Sequence, residues 1–277
     1  MYKLDKRSIY LRQLIIRGLE GGKRGHIGSS MSLVEILRVL YDDILKFDPK
    51  NPEMESRDRL ILSKGHGCLA LYSILADKGY FSLDKLDTFC KVDSILGGHP
   101  DQYIPGVETT TGSLGHGFSI GLGMAIALKI KNINSRVFAI VGDGEINEGS
   151  IWESCMSASK HKLENLVMII DNNKLQTYGS PEEVAGLDFI ENKLKSFGFD
   201  TFEVDGHSIN ELKNVLTKKT IKKDKPTAVI CNTIKGKGID FAENNLNWHH
   251  KSSLSDKDIE DLKNLLKKNI IKLEKKF

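Results

Sequence analysis

Two short stretches of this chain carry residue types that could hold a magnesium-bound polyanion. The first is Gly142-Asp143-Gly144-Glu145-Ile146-Asn147-Glu148-Gly149, entered from the apolar run Val137-Phe138-Ala139-Ile140-Val141. The second is Asp171-Asn172-Asn173, entered from Leu166-Val167-Met168-Ile169-Ile170. Asp143 offers a hard anionic oxygen, Asn173 a neutral one, and the chain just beyond, at Leu175, a backbone carbonyl. Mg²⁺ dehydrates reluctantly and is usually held by a few protein oxygens together with phosphate oxygens, which is the kind of donor set present here. Gly142 and Gly144 let the backbone approach a ligand closely. A calcium loop fits less well, because it needs glycine at its sixth position, where Glu148 stands. An ordinary nucleotide-binding α/β unit is the nearer rival on this segment alone.

Histidines supply a second kind of chemistry. His26, His66, His99 and His249 all fall in expected loops beside Gly, Pro or Trp, as in Gly25-His26, Gly65-His66-Gly67, Gly98-His99-Pro100 and Trp248-His249. A lone histidine is more often a surface or satisfied core residue. Four beside turns suggest imidazoles placed to neutralise phosphate, to donate to a developing alkoxide, or to move protons near neutral pH. His161 and His207 read as structural, and His250 as a neighbour of His249.

These groups need elements to position them. The two acidic stretches bracket one helix-like segment, which gives a βαβ unit with polar residues at the carboxyl ends of its strands, where open α/β sheets bind ligands. Helical period spans residues 5–20, ending at Gly21-Gly22; Gly25–Ser30 reads as a tight loop, and Ser32 as the cap of a second helix. Further helices are expected over 68–79, 83–91, 118–131, 209–219 and 255–271, and strands at Leu60–Leu62, around Phe202–Val204 and over Pro226–Ile230. The alternation predicts an α/β fold, a doubly wound, mostly parallel sheet with helices on both faces. No boundary is evident, so residues 1–277 are expected to form one domain. The glycines at 112, 115 and 117 do not follow the dinucleotide order G-x-G-x-x-G after a strand, which weakens a NAD reading.

Composition narrows the classes. A net charge of +3 on 277 residues gives no reason to expect nucleic acid or membrane binding. The paired lysines at 218–219, 222–223, 267–268 and 275–276 read as solvated faces. Cys68, Cys90, Cys155 and Cys231 fit no metal spacing, and Cys68, Cys155 and Cys231 sit in apolar surroundings. The charged amino terminus runs into an amphipathic helix unlike a signal peptide, and no apolar run approaches the ~18 residues of a membrane span. A soluble protein of the reducing cytoplasm is expected.

Taken in order, the motifs resemble those of transketolases over nearly the whole chain. They are Gly25-His26, Ser63-Lys64-Gly65-His66-Gly67, Gly98-His99-Pro100, Gly106-Val107-Glu108-Thr109-Thr110-Thr111-Gly112, Gly142-Asp143-Gly144 with Glu148-Gly149, Asp171-Asn172-Asn173, Asp224-Lys225-Pro226 and Trp248-His249. The resemblance implies a thiamine diphosphate-binding fold. It makes Asp143, Asn173 and the Leu175 carbonyl the Mg²⁺ ligands and brings the Gly144 backbone close to the diphosphate. His66 and His249 would serve the diphosphate side and could also face substrate, and Gly112, Ser113 and Leu114 would lie against the aminopyrimidine. His26 and His99 would face the sugar. Glu148 and Glu153 would lie at a subunit interface, although acid near a helix N-terminus is also favourable for the helix itself.

The reaction implied is ketol transfer between a ketose and an aldose, as in pentose phosphate metabolism, with the cofactor carrying the hard chemistry. Two features depart from the family pattern. His116 stands where single-chain members usually have glutamine. The chain also leaves no room for the pyrimidine-binding domain and its activating glutamate. The resemblance is therefore to the amino-terminal subunit of a split transketolase, inactive without a separate carboxyl-terminal subunit, with two copies of each expected in the assembly and sugar phosphates as substrates. A related thiamine diphosphate enzyme for an unusual sugar, and a non-catalytic binding protein on the same fold, are the alternatives. Loops 25–30, 97–106 and 174–186 are expected to be mobile without the partner.

Overall fold

Five parallel strands form one sheet in the order β1-β2-β3-β5-β4. They are β1 (Arg59–Leu62), β2 (Val137–Gly142), β3 (Leu166–Asn172), β4 (Asp200–Asp205) and β5 (Thr227–Asn232). Ten α-helices accompany them among the described residues: α1 (Lys6–Gly22), α2 (Ile27–Met31), α3 (Val34–Val39), α4 (Cys68–Asp77), α5 (His116–Ile130), α6 (Gly149–Lys160), α7 (Pro181–Ala185), α8 (Ile190–Ser196), α9 (Ile209–Leu216) and α10 (Asp256–Glu274). This computed structural model describes residues 4–176, 179, 181–186, 189–217 and 222–274.

Strands β2 and β3 are buried on both faces, which is why they read as continuous apolar runs and not as alternations. Successive side chains still point to opposite sides. Phe138, Ile140, Val167, Ile169 and Val229 join the core beneath α1, α3, α4, α9 and α10. Val137, Ala139, Val141, Met168 and Ile170 join a second core beneath α5, α6 and α8. Each fully buried aliphatic side chain contributes roughly 1.5–3 kcal/mol. These two cores fix the sheet's plane and its register. Leu62 lies level with Ile140, and Gly142 with Asp171, so the carboxyl ends of β1, β2, β3 and β5 open onto one common edge.

The helix boundaries differ from expectation in places, each for a local reason. Residues 27–31 are a helical turn and not an open loop. Ser32 does not cap a helix; its hydroxyl donates to Asp171 at 2.7 Å. The segment expected to be a helix over 83–91 is a 3₁₀ turn, Leu83–Thr88, ended by Cys90 and Asp93 at positive φ. The helix at 209 stops at Leu216, and positions 218 and 219 lie outside the described residues, as do Lys275, Lys276 and residues 177, 178 and 180 of the 174–186 segment. Cys68, Cys155 and Cys231 are buried and Cys90 is half-buried. No helix of the described residues is long and apolar enough to cross a membrane.

Candidate active site

The acidic end of β3 organises the site. Asp171 is wholly buried and accepts from Ser32 at 2.7 Å, from the Asn173 amide at 3.1 Å, and from Lys64 and Thr233 in short contacts. Burial pushes its carboxyl up, but the Lys64 ammonium and these hydrogen bonds outweigh it and hold the pKa below the ordinary range. Asp171 thereby locks Asn173 with its amide nitrogen inward. The Asn173 Oδ1 atom is left toward the 173–175 turn, where it accepts from the Leu175 N–H at 3.3 Å.

Asp143, at the end of β2, is 5% exposed. Its carboxylate accepts from the Gly144 N–H at 2.8 Å and the Lys174 N–H at 2.6 Å. Burial and then the Asp171 charge raise its pKa, opposed by Lys64 and Lys235. Lys235 reaches in from the loop after β5 and donates to the Leu175 carbonyl. Burial first, and the Lys64 charge second, lower its pKa to about 8. Two carboxylates and two ammonium groups thus meet at one strand-end edge. The three expected Mg²⁺ ligands, Asp143, Asn173 and Leu175, belong to this one group of bonded residues.

The loop carrying Lys235 is held from behind. His207 accepts the Ile234 N–H on Nε2 at 2.9 Å and meets Glu35 through Nδ1 at 2.8 Å. Glu35 is gripped by Arg12 at 2.6 and 3.0 Å, and Arg12 donates to the Lys237 carbonyl at 2.8 Å. A Cβ on Gly28 would lie 2.9 Å from the Lys235 side chain, so glycine is what lets that lysine lie flat there. The structural reading of His207 agrees with this network.

In front of this cradle the loop histidines form one group. Ring centroids of His26 lie 4.8 Å from His66, 6.1 Å from His99, 6.2 Å from His249 and 4.3 Å from His250, and His66 is 5.0 Å from His99. Each is placed by its own loop. His66 sits in the 3₁₀ turn that ends β1. Tyr72, fully buried in α4, donates to the His99 carbonyl at 2.7 Å. Gly25 and Lys251 exchange backbone hydrogen bonds at 2.9 and 3.0 Å, which ties the His26 loop to that of His249 and His250. Burial, followed by the charges of the other imidazoles, lowers His26 to about 3. Burial and neighbouring cations lower His66 and His249 to about 4. These three rings are therefore neutral at pH 7 and act as hydrogen-bonding groups. His249 Nδ1 is a buried polar atom with no partner among the described residues.

Residues 111–115 pass beside the histidine group. Thr111 donates to the Leu62 carbonyl at 2.8 Å. Gly112 stands at φ +149, and a Cβ there would meet the His99 ring at 2.9 Å. A Cβ on Gly65, from the other side, would come within 2.9 Å of the Gly112 nitrogen. Ser113 is exposed and Leu114 half-buried. Buried Glu145 holds this loop from below by accepting from the Gly115 N–H at 2.9 Å, the Gly142 N–H at 3.1 Å and the Ser63 hydroxyl. Burial raises its pKa, against those hydrogen bonds.

Glu148 and Glu153 are not brought into this group. Both are exposed on α6, Glu148 as an N-cap residue with no side-chain capping bond and Glu153 beyond the first turn. His116 is exposed at the start of α5. Of the residues that build the cradle, Lys64, Glu145 and Asp171 stand in the sequence only as members of motifs, with no role of their own, and Lys235 is not singled out at all. A signal existed for two of them. Asp171 ends a wholly apolar strand, and Lys235 follows another such strand between Ile234 and Gly236, positions where a buried charge needs a reason.

Asp143, Asn173 and the Leu175 carbonyl are hard-oxygen donors of the kind Mg²⁺ takes, and the Lys64 and Lys235 ammonium groups lie beside them. The orphaned His249 nitrogen fits the same group. Comparison with known proteins identifies the family. Residues 5–272 match the family "Transketolase, thiamine diphosphate binding domain". The chain is 39% identical over 247 residues to an apulose-4-phosphate transketolase subunit of Phocaeicola vulgatus, covering 89% of this chain and 88% of that one. It is 40% identical over 248 residues to the 6-deoxy-6-sulfo-D-fructose transketolase subunit SqwG of Clostridium sp. strain MSTE9, covering 89% and 90%. Its fold superposes on the transketolase of Campylobacter jejuni with a TM-score of 0.87 at 31% identity, covering 94% of this chain and 42% of that longer one. The chain belongs to the transketolase family and carries that family's thiamine diphosphate-binding fold.

Proposed function

We propose that this chain is the diphosphate- and magnesium-binding subunit of a two-subunit transketolase, moving a two-carbon ketol unit from a ketose to an aldose. The observation that carries the reading is the convergence of Asp143, Asn173, Leu175, Lys64 and Lys235 directly behind a group of neutral histidines. Asp143, Asn173 and the Leu175 carbonyl hold Mg²⁺. Lys64 and Lys235 balance the diphosphate, and the Gly144 backbone lies against it. Bound thiamine diphosphate supplies the carbanion chemistry of the transfer. His66 and His249 donate to the diphosphate side. His26 and His99 hydrogen-bond the hydroxyls and carbonyl of the sugar and pass its protons, and Gly112, Ser113 and Leu114 wall the aminopyrimidine.

The partner is a separate carboxyl-terminal subunit contributing the pyrimidine half, in an assembly of two plus two in the cytoplasm. Two observations support a partner. Similar proteins of nearly the same length are themselves named as transketolase subunits. Helix α5 is largely apolar, with Ile120 36% and Ile130 74% exposed, and Met156 of α6 is 55% exposed. Glu148 and Glu153 flank that surface and link paired sites across it.

A variant of this reading, with the same chemistry on a less common sugar, is favoured by the relatives whose names specify apulose-4-phosphate and 6-deoxy-6-sulfo-D-fructose. A purely binding role is disfavoured, because Asp143 and all the loop histidines are retained.

The test is to capture the tagged chain from its host and assay the eluate for ketol transfer with thiamine diphosphate and Mg²⁺. Activity accompanied by a second chain is the expected result, and ketol transfer by the pure chain alone would falsify the split arrangement. Mg²⁺-dependent thermal stabilisation of the captured complex by thiamine diphosphate should vanish in Asp143→Ala. Stabilisation that survives this change counts against the metal assignment.

A further inference from the structure

Three segments of the site meet at one buried carboxylate that the ketol-transfer reading does not use. Glu145 follows Asp143 by two residues, is 2% exposed and makes no ion pair among the described residues. Its Oε1 accepts from the Gly115 N–H at 2.9 Å and from the Ser63 hydroxyl, and its Oε2 from the Gly142 N–H at 3.1 Å. Ser63 in turn accepts from the Phe118 N–H at 3.1 Å, a donor in the first turn of α5 with no partner inside its own helix. The end of β1, the end of β2 and the start of α5 are thus tied to a single side chain. A buried carboxylate is costly unless hydrogen-bonded, and here the N–H groups at the head of α5 meet its charge.

The seam around Glu145 has no slack. A Cβ on Gly117 would lie 2.6 Å from the Ser63 hydroxyl oxygen and 2.7 Å from the Ser63 Cα, so the first turn of α5 rests directly on the end of β1. The Gly115 and Gly142 N–H groups cannot turn round, and both carboxylate oxygens must therefore accept. An amide in that place would set its NH₂ group against one N–H or the other. The two sides of the tie are unequal. Gly142 also belongs to the ladder between β2 and β3, and Asp143 keeps its own hydrogen bonds from the Gly144 and Lys174 N–H groups. Residues 112–114 belong to no helix or strand. At their end the Ser119 and Ser150 hydroxyls take the Gly115 carbonyl and leave its N–H to Glu145. Loss of the tie should therefore shift the loop and spare the metal side.

We infer that Glu145 is a positioning residue that fixes the distance between the Asp143-Gly144 turn and the 112–114 loop, so that a single ligand must fit both. The inference rests on the reading in which the turn holds the diphosphate and the loop walls the aminopyrimidine. Glu145 acts through these two segments and not by contact with the cofactor, and it sets how well one molecule engages both ends of the site.

The experiment uses the complex captured with its partner and freed of cofactor by dialysis. Calorimetric titration gives the Kd of inorganic diphosphate and of thiamine diphosphate, each with Mg²⁺, for wild type, Glu145→Gln and Ser63→Ala. The ratio of the two Kd values is the preference for the whole cofactor over its diphosphate end. In Glu145→Gln the Kd for inorganic diphosphate should stay nearly unchanged. The preference for thiamine diphosphate should fall about tenfold to a hundredfold, the size of one hydrogen bond to a charged group. Ser63→Ala removes one of the three ties and should shift the preference the same way by about threefold. It decides the matter where Glu145→Gln does not fold. An unchanged preference overturns the inference. So does an equal weakening for both ligands, which is what a merely structural role gives. If the wild type itself does not prefer thiamine diphosphate to inorganic diphosphate, the cofactor reading fails and the inference fails with it.

Discussion

At the end of β3, Asp171 is wholly buried and accepts from four donors, while in front of it His249 keeps a buried ring nitrogen with no partner among the described residues. The two regions adjoin, the cradle lysines acting on His66 and His249, and differ in where their polar groups are satisfied. The cradle is satisfied internally, with carboxylates matched by lysines, hydroxyls and backbone N–H groups. The histidine group is satisfied only in part. Its rings meet edge to face, and burial first and the neighbouring imidazoles second keep them neutral. A fully bonded buried network is rigid and costly to disturb, whereas an unsatisfied one keeps its capacity for a ligand. The cradle should therefore contribute strongly to folding, and the histidines mainly to substrate.

The largest effect should come from the cradle. Asp171→Ala removes the partner of Lys64 and leaves an ammonium stranded in the interior. Breaking a buried pair in this way costs about 3–5 kcal/mol. Urea unfolding of the purified chain should show the midpoint fall by a corresponding amount or the chain fail to accumulate folded. A loss under about 1 kcal/mol would mean that the cradle is not the rigid half.

A smaller loss is expected at the seam between the two regions. Gly65→Ala would set a Cβ 2.9 Å from the backbone of Thr111 and Gly112, which cannot yield without moving the 111–115 loop. Overpacking of this kind costs roughly 1–3 kcal/mol. The loop also borders His99, so binding should weaken with stability. Unchanged stability would show that loop to be more yielding than its hydrogen bonds to Leu62 and Glu145 imply.

By contrast, His26→Ala should cost under about 1 kcal/mol, because the ring is half-buried and its strongest neighbours are other histidines. Ketol transfer by the complex should nonetheless fall steeply. A variant that unfolds would erase the distinction between the regions, and one that keeps full activity would remove His26 from the sugar.

The same contrast explains what can be read from sequence. Strands β2 and β3 are legible because wholly apolar runs ending in Gly142-Asp143 and Asp171-Asn172-Asn173 have few other uses, and β5 because Ala228–Cys231 is a run of the same kind. His26, His66, His99 and His249 are legible as a set because each adjoins a turn, and the structure brings them together. The partners that orient these groups are not legible. Nothing near Asp171 in sequence announces Lys64, which precedes it by 107 positions, or Thr233, which follows it by 62. Ser32 reads as a helix cap because capping and hydrogen bonding to a distant carboxylate call for the same hydroxyl. The extra helical turn at 27–31 is hidden because glycine and two serines are weak helix formers, held there by burial.

The smallest effect separates the regions by pH. His26 is held near pKa 3, and His66 and His249 near 4, against about 6.5 in an unfolded chain. Between these limits the unfolded chain binds protons that the folded chain refuses, so stability rises with pH from about 4 to about 6.5 and levels off above. Acidification from pH 7 to 5 should therefore destabilise the wild type. The rings are only partly buried, so solvent screening reduces the effect below what the shifts alone suggest. Carboxylates titrate in the lower part of this range, and the informative quantity is the difference between chains. Urea unfolding at pH 7 and pH 5 should show a smaller loss for His26→Ala than for wild type. Removing the central ring deletes one refused proton and relieves the repulsion on its neighbours. Equal losses would mean that the rings are already open enough to take up protons, and that their neutrality at the site must come from the ligand or the partner.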